Sequence, residues 1–499
     1  MLFGLRSINP GHWVSRCLVG CTVVLVASCS PDIKSALADY AIYRLPGTTL
    51  EVPLEGKATF NAGGTITLRH PRGTLYFSRD QLKVTRTATR QAVLGQFKAK
   101  ASQDAAGKIA SAKQALKLGL LTECKSLLSA AWKLEPKNPK IAKLVTLMMY
   151  INRPVPNNPA EEQKAREWVH ATDEMVSSRS KHFLLIHDTP KDKDPITKKT
   201  RAEMRLELLE TVYESYFLSF ALNGFYMRPP KDPLIVFLYN DHKKYLLLER
   251  QIGEFVKQAA GFFSPISNVA VFYDSGTTDS FRALSSLTDQ LNLAKDKARR
   301  ERSPNAKDVI RFANTVTLLV DIQRETEDVA VVSHEATHQL AANTGLFPKD
   351  GVFVRWVHEG LASFYESSKM ARWSGIGAVD EDRISYYRAL EGDSVRGGID
   401  FIVSDLGFLI EANLRDQASA YGQAWALTHF LYNERFDQLI KFYGQIRTIP
   451  KGTKPREKGK ELLRLFDESF GDRTRLEFEW RRYMRSLKTD LELIAGGIR

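Results

Sequence analysis

The feature that most constrains this chain is a pair of histidines four residues apart. The segment from Ala330 to Leu340 reads AVVSHEATHQL, with His334, Glu335 and His338 inside it. On a helix, residues four apart point the same way. The two imidazoles can therefore grip one metal ion from consecutive turns. Glu335, beside the first of them, can reach a water held at the metal and act as general base. Val329, Val331 and Val332 adjoin the motif, so the helix belongs in a core, where buried histidines need partners. A catalytic zinc site takes three protein ligands plus water, so a third ligand has to arrive from another element.

The segment Arg355 to Glu366, RWVHEGLASFYE, reads as a second helix beyond a loop holding Gly345, Pro348 and Gly351. His358 and Glu359 are both candidate third ligands. They are adjacent in sequence but point to different sides of a helix. Taken together the two segments resemble the gluzincin metallopeptidases of the peptidase-MA-like superfamily. The second helix of that group commonly reads Trp-x-x-Glu-Gly-hydrophobic-Ala, matched here by Trp356, Glu359, Gly360, Leu361 and Ala362. The resemblance implies Zn²⁺ held by His334, His338 and Glu359, with Glu335 as general base in the hydrolysis of peptide bonds.

The resemblance runs from about His182 to Leu431. The segments HFLLIHDTP, LIVFLY, GFFSPISNVAVFY, SHEATHQL, WVHEGLASFYE and AYGQAWALTHFL resemble, in that order, an envelope branch of the superfamily. It implies that the GFFSPISNVAVFY hairpin forms the sheet edge along which an extended peptide substrate lies. Two departures stand out. The stretch between His338 and Glu359 is longer than in the aminopeptidase branch, and no Gly-x-Met-Glu-Asn segment occurs. Aminopeptidase activity is therefore not expected. Ser363 and Glu366, one and two turns after Glu359, are candidates to orient the histidines. Tyr421, with His429 behind it, is the candidate donor to a transition-state oxyanion. Tyr421, Trp425 and His429 also fall on one helical stripe, which core packing explains equally well.

At 499 residues the chain exceeds what one hydrophobic core usually holds, and two or three domains are expected. The expected fold class is α+β: a gluzincin-like domain over 160–499, with a small mixed sheet and a helical remainder. A small β-rich module over 40–95 and a TPR-like helical hairpin over 99–152 precede it. Thr65-Ile66-Thr67-Leu68 and Thr74-Leu75-Tyr76-Phe77 alternate like strands, punctuated by Asn61-Ala62-Gly63-Gly64 and His70-Pro71-Arg72-Gly73. The run Ala130 to Pro139 resembles the end of a tetratricopeptide repeat. A single unit cannot bury its own core and must dock on something else. Arg153-Pro154-Val155-Pro156-Asn157-Asn158-Pro159 reads as the domain boundary. Lys295 to Asp308 is charge-dense and reads as a surface excursion.

Residues 1–28 read as a lipoprotein-type signal. Arg6 and Arg16 lead into the apolar run from Cys17 to Ala27, which is too short to span a bilayer. Val26-Ala27-Ser28-Cys29 resembles the bacterial lipobox, which implies lipidation at Cys29. Ser30, in place of Asp, resembles the outer-membrane sorting pattern. The chain is expected to be exported and anchored at the envelope membrane through its N-terminal lipid. Cys124 is then the one cysteine left in the body, so neither a disulfide framework nor a cysteine zinc site is expected.

The 71 Lys+Arg against 58 Asp+Glu give a net charge of +13. That balance favours anionic surfaces, and no nucleic-acid motif accompanies it. The leading expectation is an envelope zinc metallopeptidase acting on a peptide or protein. The alternative is a catalytically inert gluzincin-fold scaffold lipoprotein, and a weaker third is a metallohydrolase acting on a non-peptide envelope bond. An inert descendant has no need of Glu335 beside an intact ligand set.

Overall fold

The computed structural model describes residues 37–44, 51–172, 174–248, 252–253, 259–347, 351–366, 368–369, 372–409 and 414–495. Residues 1–28, expected to form a signal segment, and Cys29 lie outside them. The architecture is mixed α+β and mostly helical, with two five-stranded sheets and one two-stranded ribbon. Among the described residues, no helix is long and apolar enough to cross a membrane.

The first sheet is the β module. Strands β1 (Leu37–Arg44), β2 (Glu51–Phe60), β3 (Thr65–His70), β4 (Gly73–Ser78) and β5 (Leu82–Ala88) pair antiparallel in the order β4-β3-β2-β1-β5. The β2–β3 turn works because Gly63 and Gly64 take φ of 85° and 75°, where a side chain is strained. Alternate residues Ile66, Leu68, Leu75 and Phe77 face inward and pack with Ile322 of the long helix Ala306–Asn343. The Tyr76 backbone N–H donates to Thr315 Oγ1 on that helix at 3.0 Å. Arg72 in the β3–β4 turn pairs with Asp194 at 2.9 Å and Asp321 at 2.6 Å.

Helices Ala105–Lys117, Leu121–Leu134 and Pro139–Tyr150 follow. The stretch 99–152, expected as a helical hairpin, thus holds three successive helices. Leu116, Cys124, Leu128, Leu144 and Ile151 lie in the same core cluster as Phe183, Leu209, Phe217 and Trp356. The Pro/Asn-rich break at 153–159 interrupts the helices without interrupting the packing.

The second sheet has the order β6-β7-β8-β10-β9. Its strands are β6 (Val176–Arg179), β7 (Phe183–His187), β8 (Leu234–Tyr239), β9 (Gly261–Ser264) and β10 (Val269–Tyr273). The β7, β8 and β10 strands run parallel, and β6 and β9 are antiparallel edges. Parallel strands covered on both faces read as continuous apolar runs, and LIVFLY is buried at every position. The β9–β10 pair is the GFFSPISNVAVFY hairpin, with Ser264 opposite Val269. Its β9 strand does form a sheet edge.

The long helix Ala306–Asn343 crosses this sheet. Gln339 Nε2 donates to the carbonyls of Ile235 at 2.9 Å and Asn268 at 3.1 Å, pinning the helix to the strands. A Cβ at Gly261 would come within 2.8 Å of Val331, so β9 can lie against the helix only through a glycine. Arg205, on helix Arg201–Leu222, binds Glu325 bidentately at 2.6 and 2.9 Å and Asp328 at 2.7 Å. This buried fork fixes the register of the two helices. The charge-dense stretch 295–308 is mostly exposed, in line with a surface excursion. It is the turn of a helical hairpin, with Asp279–Arg300 leading into Ala306–Asn343. Its alternating charges suit exposed helix ends as well as a loop.

Candidate metal centre

Two helices make the site. His334, Glu335 and His338 lie in the long helix, and Glu359 lies in helix Arg355–Tyr365. The second helix has no side-chain cap of its own, because Val354 occupies its N-cap position. The cap comes from afar. Asp405 accepts from the backbone N–H groups of Arg355 at 3.0 Å and Trp356 at 2.9 Å, and Lys458 steadies it at 2.7 Å. A carboxylate there satisfies orphan donors and favours the helix dipole. Gly360 lets helix Leu414–Glu434 approach, because a Cβ there would sit 2.2 Å from Thr428 Oγ1. Trp356 is fully buried against Phe442 and Phe466. The Trp-x-x-Glu-Gly pattern therefore has a packing reason at two positions and a chemical one at Glu359.

His334, His338 and Glu359 are the group of buried donors that could hold a metal ion among the described residues. His334 Nε2 lies 3.1 Å from His338 Nε2 and 3.2 Å from Glu359 Oε2, and His338 Nε2 lies 3.4 Å from Glu359 Oε2. A tetrahedral zinc with bonds near 2.0–2.1 Å needs ligand atoms about 3.3–3.4 Å apart. The triangle fits that requirement, and two imidazoles with one carboxylate is a zinc-type donor set.

Glu366 sets the ligand tautomer. Its Oε2 accepts from His334 Nδ1 at 3.0 Å, which leaves Nε2 as the lone-pair nitrogen facing the triangle. Arg383 holds the same Oε2 at 2.9 Å. Burial lowers the pKa of His334 to about 3, so it is the neutral imidazole that metal binding requires. His338 and Glu359 shift against their burial: each favours the other's charged form, raising His338 and holding Glu359 well below the usual carboxylate range.

The structure separates the rival ligands. His358 points away from the triangle, its ring between Phe347 at 4.5 Å and Phe353 at 4.2 Å. Of the two candidate orienting residues, Glu366 reaches His334. The Ser363 hydroxyl is buried with no hydrogen-bond partner among the described residues. Tyr421 is buried with its ring centroid 6.4 Å from that of His334, under Arg383 and against Phe408. Burial first, then the charge of Glu359, pushes its phenol well above the ordinary value, so it stays protonated. His429 is not behind it in the site. It bonds the Gly377 carbonyl at 2.9 Å and Tyr483 Oη at 3.0 Å, a structural role. Arg383 is the site residue that sequence reasoning missed. In the run Glu381-Asp382-Arg383 it reads as part of a solvated helix start.

Residues 328–451 match the family described as Protein of unknown function (DUF1570). The matched stretch is about a quarter of the chain. It holds the motif-bearing end of the long helix, the whole of helix Arg355–Tyr365, Glu366, Arg383 and Tyr421, and leaves out both five-stranded sheets. No curated protein and no solved structure matches the chain.

The geometry yields a direct expectation. Glu359→Ala removes one corner of the triangle and is expected to weaken zinc binding by at least about a hundredfold, a larger loss than that of a supporting group. His358→Ala is expected to change it by less than about threefold, since that ring lies outside. Competition titration with a chromogenic zinc chelator reads both, and the reverse order would make His358 the ligand.

Proposed function

We propose that this protein is a zinc-dependent hydrolase of peptide bonds, exported and anchored at the cell envelope through Cys29. The observation that carries the reading is the buried triangle of His334, His338 and Glu359 with Glu335 on the same helical turn. The likeness of both motif helices to gluzincins supports the peptidase class, and the edge position of β9 suits an extended peptide.

When bound, zinc supplies the Lewis acidity that makes water nucleophilic near neutral pH and polarises a carbonyl. The chain's own groups do the rest. Glu335 takes the proton from the attacking water and delivers it to the departing amine. It lies close enough to Tyr245 and Tyr421 for its charge to help raise both phenols. Tyr421, kept protonated, is the donor for the developing oxyanion. Glu366 and Arg383 hold His334 so that Nε2 keeps its direction when the substrate enters.

The test is metal content together with hydrolysis. Purified chain is expected to carry about one zinc, to cleave a generic protein substrate, and to lose and regain that activity with chelation and zinc return. Elemental analysis that finds no metal, even after reconstitution, rejects the zinc reading. One bound zinc with no cleavage across a broad peptide library favours the inert scaffold instead.

A further inference from the structure

A cavity of about 1070 Å³ opens between three elements of the C-terminal helical region. Helix Pro455–Phe470 lines it with Pro455, Arg456, Gly459, Lys460 and Leu463. Helix Arg473–Ser486 lines it with Arg473, Thr474, Glu477, Phe478 and Arg481. Both sets follow the spacing i, i+1, i+4, i+5, i+8, so each helix turns one continuous face to the cavity. The stretch 394–409 supplies the third side, with Val395, Phe401, Leu406 and Leu409 on it. A Cβ at Gly459 would come within 3.0 Å of the Ser404 carbonyl oxygen, so its helix closes on that stretch through a glycine. The result is a groove between two helices with a floor beneath them.

The groove is apolar where it is open. Val395 and Phe478 are 68 and 67% exposed, and Leu406 and Leu409 are 42 and 45% exposed. All four line the same cavity, so they form one patch rather than scattered surface residues. Most of the groove's charges are matched within the chain. Glu477 accepts from the Ile399 backbone N–H at 3.0 Å and pairs with Arg481 at 2.7 Å. Arg473 pairs with Asp400 at 3.0 Å and Asp467 at 2.8 Å. Arg456 and Lys460 are left over. They are exposed, one helical turn apart, and have no ion pair among the described residues. Their helix begins beside them with no side-chain cap, so its dipole adds positive charge at the same end.

An apolar groove with a cationic end fits a segment that is apolar on one face and acidic beside it. A helix about 10 Å wide rising 1.5 Å per residue fills about 120 Å³ per residue, so the cavity matches about nine residues of helix. A helix also satisfies its own backbone groups, which a groove walled by side chains does not do for an extended chain. A bilayer is too flat to reach a floor recessed between two helices, where Phe401 and Leu463 are half-buried. A second copy of this chain would bring the same net charge of +13 to a cationic rim.

We infer that this groove docks an acidic amphipathic helix of a protein partner. The partner's large apolar side chains pack on Val395, Leu406, Leu409 and Phe478, and its carboxylates face Arg456 and Lys460. None of the lining residues is one of the three metal donors, so the inference stands apart from the hydrolase reading.

The chain from residue 30 onward holds every described residue and keeps one cysteine, the buried Cys124. The probe is a capped, fluorescein-labelled fourteen-residue peptide of Leu, Ala and Glu, with its leucines spaced three and four apart. Fluorescence anisotropy is expected to show saturable binding. It should be at least about tenfold tighter than for the same peptide with Lys in place of Glu, or with the leucines scrambled off one face. Arg456→Glu/Lys460→Glu is expected to weaken binding about tenfold and to flatten its salt dependence. Val395→Ser/Phe478→Ser is expected to weaken it at least about tenfold with the salt dependence kept. All four positions are exposed, and unchanged thermal unfolding certifies the fold. A second readout needs no weakened variant. A bromoacetyl group on the peptide should alkylate Ser394→Cys, which lines the groove, and not Leu134→Cys, which does not. Equal binding of the acidic and basic peptides overturns the proposal. So does wild-type affinity in either double variant, or equal alkylation at 134 and 394. Dimers that form with concentration and are lost in Val395→Ser/Phe478→Ser would overturn it in favour of a second copy. Binding to phosphatidylglycerol vesicles but not to the peptide would overturn it in favour of a lipid.

Discussion

Glu335→Gln is expected to leave one zinc bound and to lower peptide hydrolysis by about a thousandfold or more. General acid–base catalysis contributes about 10²–10⁴-fold, and in the proposed reaction one residue serves both as base for water and as acid for the amine. The substitution is nearly isosteric and leaves the triangle intact, because Glu335 is not one of its three donors. Zinc stoichiometry and thermal unfolding therefore stay near wild type while kcat falls, a split that separates this residue from the ligands. Equal activity in both proteins removes Glu335 from the mechanism. Loss of zinc along with activity shows instead that Glu335 supports the metal site itself.

The candidate ligand set is legible in the sequence because its chemistry is local. His334 and His338 share a helical face by spacing alone, and Glu359 sits in a pattern whose tryptophan and glycine have packing duties of their own. The strands β7, β8 and β10 are legible because buried parallel strands announce themselves as apolar runs, and the antiparallel β9 because it is buried at every position too. What the sequence hides is what reaches the site from a distance. Asp405 caps the Glu359 helix from 50 residues further along the chain. Arg383 clamps Glu366 from a helix start that looks solvated. Neither residue differs in type or spacing from an ordinary surface charge. The choice between Ser363 and Glu366 fails for the same reason. Glu366 falls at the helix C-cap, where the chain is leaving helical geometry, and its reach back to His334 is a property of that exit.

A fragment beginning near Pro159 is expected to fold poorly, although every residue of the metal triangle lies after that point. The Pro/Asn-rich break reads in sequence as the start of an independent unit, and a fragment that begins there would then keep its zinc. The packing argues against it. Helices Ala105–Lys117 and Pro139–Tyr150 lie on helix Arg201–Leu222, and Leu116, Leu128, Leu144 and Ile151 belong to the core that holds Phe183, Leu209, Phe217 and Trp356. Lys125 pairs with Glu214 at 2.5 Å across the same contact. Removing the front half uncovers that face. Each large apolar side chain left exposed forfeits about 1.5–3 kcal/mol, and a few of them together reach the 5–15 kcal/mol by which folded chains are stable. The β module adds to the loss, since Ile322 loses its cover on the very helix that carries the histidines. The fragment and the chain from residue 30 onward should be compared for solubility, zinc content and thermal unfolding. An insoluble fragment, or one that melts at least about 10 °C lower with weakened zinc binding, is the expected result. A soluble fragment with full zinc and wild-type unfolding would mean that the shared core is dispensable and that the metal-binding region stands alone from residue 160.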